Sequence, residues 1–177
     1  MKPVTNKGFY GVLSGFILFS MVLILDDDGF IIVLDHANLL FHEAGHVFLG
    51  IFGYTAGLYG GTLGQFVFPV VTAISFYKKG ATVALAVSGF WFFENFFYVA
   101  TYVGDARTRN LPLVGGGDHD WYRILSSWNM LSYDTTFAGL LRLLGWLGLC
   151  ITMIIIYRKW CNSRKKPRQR YIKVQVD

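Results

Sequence analysis

The chain has 177 residues, 54% of them hydrophobic and 18% aromatic, and only 15% charged. A soluble domain carries about 25% charged residues, so this composition excludes an ordinary soluble enzyme or binding module. The formal net charge of +5 does not mark a nucleic-acid binder either, because eight of the sixteen Lys and Arg follow residue 157 in one basic tail.

The first apolar block, GFYGVLSGFILFSMVLIL (8–25), follows Lys2 and Lys7. Its length, and the Asp26–Asp28 cluster after it in place of a small-residue cleavage site, read as a retained membrane helix and not a signal peptide. The second block, 30–53, is long enough to cross a bilayer, for which about 20 residues suffice. Asp35, His36 and Asn38 are costly in hydrocarbon, so entry is expected near Leu39. The third block, 62–77, is short, begins after Gly60-Gly61 and contains Gly64, Gln65 and Pro69. It is expected to be a Gly/Pro-broken re-entrant element. Blocks 81–103 and 136–157 read as spans. Between them lies the one long polar loop, 104–135.

The sequence therefore predicts an all-α integral membrane protein: about four transmembrane helices, a re-entrant segment and a long polar loop. The membrane domain covers 1–157 and a basic tail covers 158–177. Basic residues favour the cytoplasmic side and anionic headgroups, which places the C-terminus and Lys78-Lys79 inside and the polar loop outside. Cys150 and Cys161 are expected as free thiols.

Within the second block stands His42-Glu43-Ala44-Gly45-His46, an HExxH motif. On a helix, residues four apart share a face, so both imidazoles can bind one metal ion with Glu43 beside it. Zinc suits such ligands, and Glu43 is the expected general base. A third ligand must come from elsewhere. His119, in GGGDHDW, is the first candidate and Asp105 the alternative, with Asp120 expected to orient an imidazole. His36, six residues before the motif, falls on another face and reads as interfacial. Glu94-Asn95, among aromatics, needs partners: Arg107, Arg109, the site itself or a helix–helix bond. Gln65 and Pro69 would line a substrate groove or mark a packing break.

At HEAGH inside a hydrophobic segment, the chain resembles the intramembrane zinc metalloproteases of the site-2 protease class. The resemblance implies His42 and His46 as zinc ligands, Glu43 as base and an aspartate on a later helix. No Asp-Gly follows the motif, and Asp105 is the nearest positional analogue. HEAGH, GGTLGQFVFP, FENFFYVATYVGDA and GGGDHDW together are also similar to a group of small uncharacterised bacterial membrane proteins. The expectation is a Zn2+ peptidase of the bacterial inner membrane, in contact with lipids, acting on a membrane-embedded or membrane-proximal peptide. Hydrolysis of a lipid amide or ester, or a structural metal without catalysis, are the alternatives. The oligomeric state is left open.

Overall fold

The computed structural model describes residues 1–25, 32–114 and 118–165, and of residues 32 and 33 the backbone alone. The described residues are helical, in the order α1 (Asn6–Leu25), α2 (Ile32–Gly50), α3 (Tyr54–Lys78), α4 (Thr82–Gly104), α5 (Asp120–Ser127), a 3-10 turn (Leu131–Tyr133) and α6 (Asp134–Lys165). Asp26–Asp28, Gly115–Gly117 and the tail beyond Lys165 lie outside the described residues.

Among the described residues, four helices are long and apolar enough to cross a membrane: α1, α3, α4 and α6 with the 3-10 turn before it. Their outward side chains are those a bilayer solvates, among them Leu18, Val71, Leu143 and Ile154, each about half exposed or more. The expected number of spans is met, but with a different member. Block 62–77 is not a broken re-entrant segment; it belongs to the continuous 25-residue helix α3. Pro69 removes only one backbone donor there, and a membrane-buried helix tolerates that loss when neighbours cover the freed carbonyl. Conversely α2, expected to span, is not among the four. Asp35, Asn38, His42, Glu43 and His46 dilute its hydropathy, and Asp35, Asn38 and His42 are buried against protein.

The α2–α3 hairpin turns in three residues, with Gly53 at φ 111°, a conformation side chains rarely adopt. The two helices then pack backbone to backbone along a glycine seam. A Cβ on Gly64 would lie 2.5 Å from the Phe41 carbonyl oxygen, and one on Gly45 or Gly60 would collide with the backbone of the other. Gly57-x3-Gly61 and Gly60-x3-Gly64 are interleaved small-residue repeats of the kind that bring membrane helices close. On the other side, Gly145 and Gly148 of α6 leave room for the rings of Phe97 and Phe93 on α4.

One end of the bundle gathers both ends of the described chain. Lys2 N–H donates to Gly80 O (2.8 Å), Val4 N–H to Ser163 Oγ (3.0 Å) and Trp160 Nε1 to Asn6 Oδ1 (3.0 Å), while Phe9 stacks on Trp160 at 4.3 Å. Lys78, Lys79 and the last-turn Arg164 and Lys165 lie at this end. At the opposite end α4 finishes, α5 begins, and Arg107 Nε bonds both carboxylate oxygens of Asp134 at 2.8 Å, tying α4 to the start of α6. The expected long loop is thus partly helical.

Candidate metal centre

α2 presents His42 and His46 one turn apart, and α5 brings Asp120 to them across the bundle. Asp120 Oδ2 lies 3.0 Å from His42 Nε2 and 3.1 Å from His46 Nε2. These three side chains form a group that could hold a metal ion. For bond lengths of 2.0–2.2 Å, ligands at the corners of a tetrahedron stand about 3.3 Å apart, close to the spacing here.

The hydrogen bonding of His46 tests that fit. Its Nδ1 is 2.8 Å from Gly57 O, which only accepts, so Nδ1 carries the proton. Nε2 of the neutral ring is then a bare lone pair, facing a carboxylate oxygen that is also an acceptor. Two acceptors at 3.1 Å repel unless a cation lies between them, either a proton or a metal ion. Gly61 supplies the space: a Cβ there would lie 2.5 Å from both Nε2 atoms. Two imidazoles and a carboxylate converging on a point kept clear by glycine suit zinc with a coordination position to spare.

Asp120 is held in turn. Its backbone N–H donates to Tyr102 Oη (3.1 Å), and the Tyr102 hydroxyl points back to Oδ2 at 3.4 Å. Trp121 Nε1 donates to Thr62 Oγ1 (3.1 Å), pinning α5 to α3.

His119, the expected third ligand, is not brought to this group. Its Nδ1 accepts from Tyr122 N–H (3.2 Å) and caps α5, so the next residue, Asp120, is the one that points at the histidines. Burial pushes the His119 imidazole below its usual range, and Asp105 and Asp120 oppose that shift. Its Nε2 faces Asp105 Oδ2 at 3.5 Å, and its ring lies 4.2 Å from that of Tyr102.

Asp105, the alternative, is also turned away, accepting from Asn110 N–H (2.9 Å), Leu111 N–H (3.0 Å) and the Thr108 hydroxyl. Burial alone would raise its pKa, but these donors win and hold the carboxyl below the ordinary range. A depressed folded-state pKa contributes stability above the unfolded value, about 3.9, and loses it as pH falls through the folded one. The 105–111 turn should therefore open in acid. Asp105→Ala should loosen it by about 1–3 kcal/mol at neutral pH and remove that acid response. Amide exchange of Asn110 and Leu111 reads both effects.

Glu43 lines a cavity of about 900 Å³ together with His42, His46 and Asp120. Tyr98 and Tyr102 wall it from α4, and Asp118, ion-paired with Arg123, lies at its edge. Such a volume takes a small ligand or a few residues of an extended peptide.

Gln65 and Asn95 do not line this cavity. Gln65 is 1% exposed on α3, and Asn95 Nδ2 donates to Trp91 O (3.0 Å) within its own helix. Glu94 pairs with neither arginine: Arg107 takes Asp134, and Arg109 lies over the Tyr122 ring. Glu94 instead accepts at Oε2 from Asn38 Nδ2 (2.8 Å), while Trp91 Nε1 donates to Asn38 Oδ1 (2.9 Å), a helix–helix bond, and Asp35 shares a side-chain hydrogen bond with the same carboxyl. His36 is exposed, and both cysteines are free.

Sequence reasoning missed Tyr102 and Gly61. The GxxxG repeats were the signal for Gly61; for Tyr102 no local signal existed. No protein-family model, no curated protein and no solved structure matches this chain.

Proposed function

We propose that the protein is a membrane-embedded zinc metallopeptidase acting on a membrane-embedded or membrane-proximal peptide. The observation that carries the reading is the pair of acceptors at 3.1 Å, His46 Nε2 and Asp120 Oδ2, which calls for a cation between them. His42, His46 and Asp120 would hold that ion. Bound zinc would supply Lewis acidity, acidifying a water and polarising a substrate carbonyl. Glu43 follows a ligand directly in sequence and lines the same cavity; it takes the proton from the attacking water and passes it to the leaving nitrogen. Tyr102 keeps Asp120 oriented while this happens. The apolar wall segment 111–114 and the tyrosines shield the reacting groups from bulk water.

Basic residues gathered at the opposite end argue for a cytoplasmic location there, which puts the centre toward the outer face of the membrane. The likeness to the site-2 protease class at HEAGH supports the same chemistry.

The test is reconstitution into liposomes with two substrates, a membrane-proximal peptide and a lipid amide. The expected result is peptide cleavage that a chelator abolishes and zinc restores. Cleavage of the lipid amide alone would replace the peptidase reading with a lipid hydrolase.

A further inference from the structure

The two histidines differ at their second ring nitrogen. Nδ1 of His46 has the carbonyl of Gly57, whereas Nδ1 of His42 is buried with no hydrogen-bond partner among the described residues. If a metal sits at His42 Nε2, the lone pair must be there and the ring proton must be on Nδ1. Metal-ligating histidines almost always give that proton to an acceptor, which fixes the tautomer and the ring.

Gln65 offers the complementary group. It is 1% exposed, and its Oε1 also lacks a partner. A polar side chain at membrane depth is costly unless bonded, so an unmatched carbonyl here calls for a donor. Its position supplies one. The His42 ring packs against α3 at Gly61, where an added Cβ would lie 2.5 Å from Nε2 and 2.7 Å from Cε1. Gln65 follows Gly61 by four residues, one turn along the same face. α2 and α3 are antiparallel, and each side chain leans toward its own helix N-terminus. His42 therefore leans toward the Gln65 level and Gln65 leans back toward His42.

The two atoms are not bonded to each other in this structure; we infer that Gln65 Oε1 accepts the His42 Nδ1–H through one buried water, or directly once metal binding turns the ring, and so is a positioning residue for the metal ligand. The inference rests on the metal-site reading given above. Asn95 Oδ1 is another buried acceptor without a partner, but it lies on α4 seven residues before Tyr102, two turns from the residue that meets the His42 ring.

The experiment measures zinc affinity of the full chain in detergent by competition with a chelator, for wild type, Gln65→Leu, Gln65→Glu and Asn95→Leu. Thermal stability of the metal-free forms is recorded in parallel. Gln65→Leu should bind about 10–100-fold more weakly, as loss of a ligand's supporting partner does. Gln65→Glu, still an acceptor, should bind at least as tightly as wild type, and Asn95→Leu should match wild type. Nitrogen-15 NMR of the zinc-loaded protein should show a protected proton on His42 Nδ1 that Gln65→Leu exposes to exchange. Equal affinity of Gln65→Leu and wild type would overturn the inference, as would a Gln65→Glu affinity lowered by about tenfold or more; the second arm decides if the leucine variant does not fold. Absence of zinc binding in the wild type would instead remove the metal reading itself.

Discussion

Gly61→Ala should abolish metal binding while leaving the helices formed. Alanine favours a helix over glycine by about 1 kcal/mol, so the backbone of α3 gains from the change. Its Cβ, however, would stand 2.5 Å from both His42 Nε2 and His46 Nε2. Zinc–nitrogen bonds are about 2.0–2.1 Å long, so the methyl group and the ion would compete for one space. The rings could escape only by turning Nε2 away from Asp120, which dismantles the same group. Zinc affinity should fall by more than the 10–100-fold that follows loss of a supporting residue. Gly15→Ala is the control: nothing lies within 4 Å of its added Cβ, so it should bind zinc as the wild type does. Bound zinc and helical content, measured on both variants, separate a filled site from an unfolded protein.

Glu43→Gln should retain zinc and lose turnover by about 10²–10⁴-fold, the usual contribution of a positioned general base. That loss corresponds to about 3–5 kcal/mol of transition-state stabilisation. Glutamine keeps the shape of the side chain in the cavity but cannot accept and return a proton at neutral pH. The comparison also separates catalysis from a structural metal. A closed structural site needs no base, so unchanged function in Glu43→Gln would assign the metal a stapling role between α2 and α5.

What the sequence made legible follows from the range of each interaction. His42 and His46 are four residues apart on one helix, so their convergence is a local property that the spacing reveals. Asp120 is 78 residues from His42. Its place depends on how α5 is started, and that is decided by His119 using its own Nδ1 as the cap. Acid-His-acid in a polar loop therefore marked the right segment but not which of its buried residues faces His42 and His46.

The glycines of α3 were read as breakers because glycine weakens a helix in water. Packed against α2 they instead allow backbone contact, and α3 runs unbroken through them and through Pro69. Likewise block 30–53 is long enough to span, but its polar residues are matched by α3, α4 and α5, a tertiary fact that hydropathy along one segment does not carry. Glu94 found Asn38 and not an arginine, because Arg107 is held by Asp134 at the start of α6.

The measurement that bears most directly on the central claim is the zinc content of the protein purified without chelators, as wild type, His46→Ala, Asp120→Ala and His119→Asn. Asparagine preserves the helix cap at 119, so that variant tests ligation without disturbing α5. The expected result is about one zinc per chain in wild type and His119→Asn, and loss in His46→Ala and Asp120→Ala. Zinc retained without Asp120 but lost in His119→Asn would contradict it, as would a wild-type protein that binds none.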